Sequence, residues 1–363
     1  MIALLSLCVW IYLFFWHGWF WRSQPELLPA VPLDFPDVDI IVPARNEAET
    51  IRAAIGSLLA QDYAGTFKII MVDDNSTDDT AALAGAGPAL QLVRLHTKPA
   101  GWSGKLWALK QGVALSHAPL VLFTDADIEH DVRHLSSLVS QLQQARLDLV
   151  SEMVRLNCIS IAERALVPAF VYFFQMLYPF AKVNTPSSTA AAAAGGTVLI
   201  RRAVLDRIGG IEAIKNALID DVALAKAVKR VGTIFLGHSR LAASVRPYPA
   251  FKDMWRMISR TAFTQLRYSA LLLALTLGAL CLVWLVPPAS AIFAHGWRAA
   301  CGLAACGLAG ASYVPTLSRY GRSYWWIAAL PLIALFYMSA TAASAVNHWR
   351  GRGASWKNRE YQR

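Results

Sequence analysis

Leu120-Val121-Leu122-Phe123-Thr124-Asp125-Ala126-Asp127 is a short apolar run that stops in two carboxylates. A run of this length reads as a buried strand, and open α/β sheets bind their ligands at the carboxyl ends of strands. If the backbone stays extended, residues i and i+2 point to one side, so Asp125 and Asp127 face one site. Hard oxygen donors in a pair suit Mg2+ or Mn2+ held together with phosphate oxygens. An isolated Asp-x-Asp is as often a solvated turn; the strand end favours the ligand reading.

Outward from this stretch the chain alternates. Val38 to Val42, Phe67 to Val72, Leu90 to Leu95 and Leu147 to Ser151 read as further strands. Helices are expected over Glu49 to Gln61, Asp78 to Ala84, Lys105 to Ser116 and Val132 to Ala145. Such alternation predicts an α/β fold with a mostly parallel sheet and helices on both faces. Ser76 with Asp79 has the form of a capping box that would start the second helix. Asp73-Asp74 closes another strand and Asp220-Asp221 opens a helix to Arg230, so several acids converge on one end of the sheet. For Asp73-Asp74 capping competes with nucleoside binding. For Asp220-Asp221 dipole complementation competes, and successive helical residues diverge by about 100°, so at most one should enter the crevice. Trp102-Ser103-Gly104-Lys105 precedes a helix, where backbone amides and a lysine suit a phosphate. No complete P-loop and no G-x-G-x-x-G is present, which argues against ATPases and dinucleotide enzymes.

The rest of the chain is far more apolar. Of 363 residues 56% are hydrophobic and only 16% charged, too apolar for two ordinary soluble domains. Residues 2–21 carry no charge and end at Arg22, about the 20 residues that a spanning helix needs. With no basic leader or small-residue cleavage pattern, this reads as an anchor, not a signal peptide. Ala270 to Val286 and Tyr324 to Val346 are further spans, and the Ala/Gly-rich Trp297 to Pro315 is a weaker one. Three C-terminal crossings would place a tail holding Arg350, Arg352, Lys357, Arg359 and Arg363 opposite the acidic domain, against the positive-inside tendency. Either residues 297–315 do not fully cross or the tail breaks the rule.

Ala165 to Phe180, interrupted by Pro168 and Pro179, reads as a helix on the membrane or along an acceptor groove. Phe251 to Tyr268 is amphipathic, with Lys252, Arg256 and Arg260 against Trp255, Ile258, Ala262 and Leu266, and suits the bilayer interface. The formal charge of +10 sits largely beside apolar segments and no nucleic-acid motif is present. Anionic lipid headgroups are the expected partner, not nucleic acid. The five cysteines show neither metal-ligand spacing nor a disulfide framework.

Together, Pro43-Ala44-Arg45-Asn46-Glu47, Asp73 to Thr77, Gly104-Lys105, Asp125-Ala126-Asp127, Gly195-Gly196 and Asp220-Asp221 resemble family 2 glycosyltransferases in sequence and order. Gly101 to Ala108 and Arg260 to Leu266 look like the hopene-associated glycosyltransferases of hopanoid biosynthesis loci. The resemblance implies a GT-A fold, an inverting transfer from a nucleotide-diphospho-sugar, and a hopanoid-like lipid acceptor. Asp74 and the turn of Pro43, Ala44, Arg45 and Glu47 would hold the nucleoside, and Asp125 and Asp127 the ribose, diphosphate and Mg2+ or Mn2+. Lys105 would meet the diphosphate, with Gly195 and Gly196 leaving room for the sugar. Asp221 would be the catalytic base. Asp220 stands where the family's pair usually has Glu, which weakens a role carried to it. Arg260 remains from the Gln-x-x-Arg-Trp motif of processive synthases and could meet the diphosphate, but Thr261 replaces its Trp. A single transfer to a lipid is expected.

The expected domain plan is an anchor at 1–22, a Pro-rich linker at 23–36, a catalytic domain at 37–250, an interfacial helix at 251–268, spans over 269–347 and a basic tail at 348–363. This places a multi-pass protein in a bacterial-type inner membrane with its catalytic domain in the cytoplasm. Transfer to polyprenyl phosphate and a non-catalytic membrane scaffold are the competing readings.

Overall fold

The computed structural model describes residues 1–351, 355, 356, 359 and 360; Arg352, Lys357 and Arg363 of the expected basic tail lie outside the described residues. Two compact units are present, each formed by several stretches of chain. One gathers Met1–Ser23, Cys158–Ala181 and the chain from Tyr248 to the described Gly351; the other gathers Gln24–Asn157, Lys182–Pro247 and the described Ser355, Trp356, Arg359 and Glu360.

The second unit is built on a sheet of β1 (Glu26–Leu27), β2 (Val38–Ala44), β3 (Phe67–Asp73), β4 (Leu90–Arg94), β5 (Leu120–Thr124), β6 (Ile128–His130), β7 (Leu149–Arg155), β8 (Thr197–Arg201) and β9 (Ile234–Ser244). Its order is β1-β9-β7-β8-β5-β2-β3-β4, with β6 pairing β9. β2, β3, β4 and β5 run parallel, while β8 lies antiparallel to both β5 and β7. Every residue of β2 and of β5 is buried, as expected for central strands covered on both faces. From β2 the chain winds one way to β3 and β4 and the other way to β5. The order therefore reverses between β2 and β5, where a crevice opens at the carboxyl ends.

The helices fall close to their expected places: Ile51–Leu59, Gly104–Ala114, His134–Gln144 and Asp220–Lys229. Two local expectations fail. Ser76 does not cap a helix but donates its amide to Asp73 Oδ1 at 3.1 Å, and the second helix is the single turn Thr80–Leu83 after Asp79, with no side-chain cap. β5 ends at Thr124 and residues 126–127 turn, so the extended geometry expected of Asp125 and Asp127 is not kept.

In the other unit the N-terminal helix is Ile2–Phe15 and turns follow, so its 14 residues fall short of the expected 2–21 span. Among the described residues, Ala270–Phe293, Trp297–Arg319 and Leu330–Trp349 are long and apolar enough to cross a membrane, by length and composition. Ile161–Leu177 is continuous through Pro168. On the amphipathic helix Phe251–Gln265, Lys252, Arg256 and Arg260 are exposed while Met254, Ile258 and Phe263 are buried.

The first long helix carries a π-helical turn, Cys281–Leu285, ahead of Pro287 and Pro288. Val286 N donates to Cys281 O, so the Leu282 carbonyl loses that donor, and its next partner, Pro287, has no N–H. The Val283 carbonyl faces proline at both i+4 and i+5. The N-terminal helix supplies both donors, one turn apart: Ser6 Oγ to Leu282 O at 2.7 Å and Trp10 Nε1 to Val283 O at 2.8 Å. In an apolar medium such carbonyls must be met within the protein.

Trp297–Arg319 returns along this helix, Gly302 lying against the Pro287 carbonyl and Ala291. The chain then doubles back, with Ile327 against Gly310, and Leu330–Trp349 rises to end where His348 stacks on Tyr268, ring centroids 4.3 Å apart. The last long helix thus finishes beside the residues that open the first, at the end of the unit where the amphipathic helix finishes. Residues 297–319 form a full-length helix, and the chain folds back after Arg319.

Trp10→Phe keeps an aromatic ring, though a smaller one, and removes the donor to Val283. A loss of about 1–3 kcal/mol is expected for an unmet buried carbonyl, read as a lower unfolding temperature of the detergent-solubilised protein.

Candidate active site

The ends of the parallel strands β2, β3 and β5 deliver Arg45, Asp74 and Asp125, and two helix starts and the end of β9 deliver the other charged groups of the crevice. Beyond β2, the Arg45 guanidinium donates to the Asp74 carbonyl and to Asn75 O at 3.0 Å, and its Nη1 lies 3.9 Å from the fully buried Asp74 carboxylate. The turns after β2 and β3 are thereby tied by charge-assisted bonds. Asp73 is turned into its own loop, toward Ser76. Asp74, not Asp73, therefore meets the Arg45 turn.

After β5 the two acids separate. Asp125 Oδ1 lies 2.8 Å from Lys105 Nζ, and Asp127 Oδ2 lies 2.6 Å from Arg246 Nε. Lys105 enters on Gly104–Ala114, whose start is fixed by Ser103 Oγ accepting from Leu106 N at 3.1 Å. Its ammonium also lies 3.4 Å from Asp220 Oδ2. Burial works against the Lys105 charge, but Asp125 and Asp220 outweigh it and raise its pKa.

Both Asp220 and Asp221 line the cleft, contrary to the expectation that only one of them could. They occupy the first turn of Asp220–Lys229, which meets the cleft end-on, so that both side chains reach it. Asp221 lies against the Gly195-Gly196 turn that leads into β8. A Cβ on Gly195 would come within 3.1 Å of Asp221 Oδ2, and one on Gly196 within 3.1 Å of the Val154 methyls. The cleft has an apolar wall of Leu109, Phe123, Val198, Ile211, Ile214 and Leu224 behind these charges. Burial, then the neighbouring Asp220, push the Asp221 carboxyl up to about 7 against the pull of Lys105. Asp125 is raised too, by burial and by Asp127 and Asp220 against Lys105. Its side chain keeps 35% exposure, so water screens part of that effect.

The sequence reading missed Arg246. Its Nη2 lies 2.6 Å from each Glu47 carboxylate oxygen while its Nε holds Asp127. It follows the last residue of β9 by two, so the signal was a cation at a strand end, hidden because β9 itself was not read. The apolar wall of the cleft was missed as well, its residues looking like ordinary core. Pro43 lines the cleft and Ala44 is buried at the end of β2. Arg260 belongs to the other unit, exposed on Phe251–Gln265.

Around the cleft Glu47, Asp125, Asp127, Asp220 and Asp221 outnumber Lys105 and Arg246. The surplus negative charge and the hard oxygen donors fit a divalent cation. Among the described residues no three His, Cys, Asp or Glu side chains form a preformed metal-ligand set, so further donors would have to come from a ligand.

Residues 39–209 match the profile described as Glycosyl transferase family 2. A dodecaprenyl-phosphate galacturonate synthase of Rhizobium johnstonii is 28% identical over 126 residues, 33% of this chain and 36% of that protein. A beta-monoglucosyldiacylglycerol synthase of Synechocystis is 24% identical over 312 residues, 70% of this chain and 62% of the relative. The chain spans about a third of the length of the first curated relatives it matches. Among solved structures, the mannosyltransferase PcManGT of Pyrobaculum calidifontis, in complex with GDP-Man and Mn2+, superposes with a TM-score of 0.59 at 20% identity over 97% of this chain and 99% of that one. This likeness shows a GT-A fold.

Arg246→Ala leaves Glu47 and Asp127 close together without their cation. With Arg246 28% exposed, a loss of about 2–3 kcal/mol is expected, less than for a fully buried pair. Thermal unfolding with and without Mn2+ checks this: the ion should recover part of the loss in the variant.

Proposed function

We propose that this chain, carrying a family 2 glycosyltransferase domain at residues 39–209, is a membrane-associated inverting transferase. It moves one sugar from a nucleotide-diphospho-sugar to a lipid hydroxyl. The observation that carries the reading is Asp221: a carboxyl with its pKa pushed up to about 7, on a cleft shared with Lys105 and Asp125. A general base is most effective when its pKa lies near the working pH. The apolar wall beside it suits a lipid acceptor better than a polar glycan.

In this reading the acceptor oxygen attacks the anomeric carbon and gives its proton to Asp221. The bond from that carbon to the diphosphate oxygen breaks on the opposite face, and Lys105 neutralises the charge that develops there. Asp125 and Asp127 would hold Mg2+ or Mn2+, which would supply Lewis-acid neutralisation of the diphosphate. Arg45, Glu47 and Asp74 would bound the nucleoside, and Gly195 and Gly196 would leave space for the sugar ring. Asp220 would orient Lys105. Arg260, on an exposed basic face, would serve the diphosphate or anionic headgroups.

The hopanoid-like acceptor rests on the resemblance of residues 101–108 and 260–266 to hopene-associated enzymes. The basic residues on Phe251–Gln265 and the return of the last long helix to Tyr268 support a multi-pass protein with catalytic domain and tail on the cytoplasmic side of a bacterial inner membrane. Transfer to polyprenyl phosphate is the second reading, favoured by similarity to the dodecaprenyl-phosphate enzyme. A phosphate acceptor needs little deprotonation.

Asp221→Asn should lower kcat by about 10²–10⁴-fold with a hydroxyl acceptor, measured with radiolabelled nucleotide sugar and cell lipids. Full activity in that variant removes Asp221 as base, and activity confined to polyprenyl phosphate selects the second reading. Because the base works deprotonated and its pKa is raised, wild-type kcat should fall as pH drops through about 7. Asp220→Asn removes the like charge and should move that limb to lower pH.

A further inference from the structure

Behind the cleft a line of polar side chains is buried in the core. Thr124, His130, His134 and Glu152 are each 5% exposed or less. Thr124 Oγ1 lies 2.9 Å from Gly196 O and 3.1 Å from His130 Nε2; His130 Nδ1 lies 2.9 Å from His134 Nδ1; His134 Nε2 lies 2.5 Å from Glu152 Oε1. The two imidazoles also stack, centroids 4.8 Å apart.

From the Gly196 carbonyl to His134 Nδ1 the hydrogens have one arrangement. The Gly196 carbonyl can only accept, so the Thr124 hydroxyl donates to it. Thr124 then accepts from His130 Nε2–H. Burial and the neighbouring His134 hold His130 neutral, with its pKa well below the usual imidazole value, so its Nδ1 accepts and His134 Nδ1 donates. At the far end of the line His134 Nε2 is hydrogen-bonded to Glu152 Oε1, which fixes the ring. Four buried polar groups cost desolvation that aliphatic side chains would not.

What the line controls is the Gly196 carbonyl. That oxygen also accepts from Asp125 N at 3.3 Å, and the adjoining Gly195 amide donates to the Asp221 carboxylate. One peptide turn thus joins the strand end bearing Asp125 to the acid proposed as base. We infer that Thr124, oriented by His130, His134 and Glu152, is a positioning residue that pins the Gly195-Gly196 turn to β5 and so sets Asp221 against Asp125 and Lys105. Thr124 stands in the cleft wall, whereas His130, His134 and Glu152 do not line the cleft and act through Thr124 and the turn. The inference rests on the reading of Asp221 as base, but the pinning itself is measurable without any substrate.

Thr124→Val keeps the shape and removes the donor; Thr124→Ser restores it. Hydrogen exchange of residues 195–197 in substrate-free detergent-solubilised protein should quicken about tenfold or more in Thr124→Val and return to the wild-type rate in Thr124→Ser. kcat should fall about tenfold or more with donor KM within about threefold, and Thr124→Ser should recover it. His130→Leu, which leaves Thr124 unoriented, should reproduce both changes and serves if Thr124→Val does not fold. Unchanged exchange in folded Thr124→Val overturns the inference, and quickened exchange with unchanged kcat reduces the line to a structural tie and overturns positioning. If wild-type protein transfers no sugar to any acceptor, the transferase reading fails, while the exchange measurement still decides whether Thr124 pins the turn.

Discussion

The Lys105 ammonium, set between Asp125 and Asp220, is the interaction on which the cleft depends. Carboxylates arriving from a parallel strand end and from a helix start repel one another in a partly desolvated space. A cation shared between them lets the two elements meet. One cation does not balance the set, and the excess appears as the raised pKa of Asp221 and of Asp125. The same imbalance leaves room for a metal–diphosphate ligand, which brings further positive charge in its metal and oxygen donors in its phosphates. Arg246 plays the corresponding part between Glu47 and Asp127.

The helical unit follows a different constraint, that an apolar medium leaves no backbone carbonyl unmet. The π-turn and the Pro287-Pro288 pair release two carbonyls, and Ser6 and Trp10 meet them. This explains why a 14-residue helix, short for a crossing, is packed with its Trp10 fully buried. Its role is to complete a neighbour whose hydrogen bonding is interrupted by the π-turn and two prolines.

Legibility in the sequence divided along the same line. β5 was read to the residue, and β2 and β3 to within two, because central parallel strands are continuous apolar runs closed by polar turns. β6, β8 and β9 were not read. β8 follows an Ala/Gly stretch without pattern, and β9 holds His238, Ser239 and Arg240 among its apolar residues, so neither shows a clean period. The Ser76 cap failed because Asp73, one turn back, competes for the same hydroxyl and amide. Arg246 lies 119 residues from Asp127 and Thr124 lies 72 from Gly196, and no local pattern marks such pairings.

Local order along the chain thus determined the α/β alternation, the acidic strand ends, the amphipathic helix and the apolar segments, since each depends on neighbours a few residues away. The tertiary structure decided which cation each acid meets, that both Asp220 and Asp221 reach the cleft, that the chain doubles back after Arg319, and that Thr124 faces Gly196. Those outcomes depend on the electrostatics and packing of groups tens to hundreds of residues apart, whose distances exist only once the sheet and the helices have closed on one another.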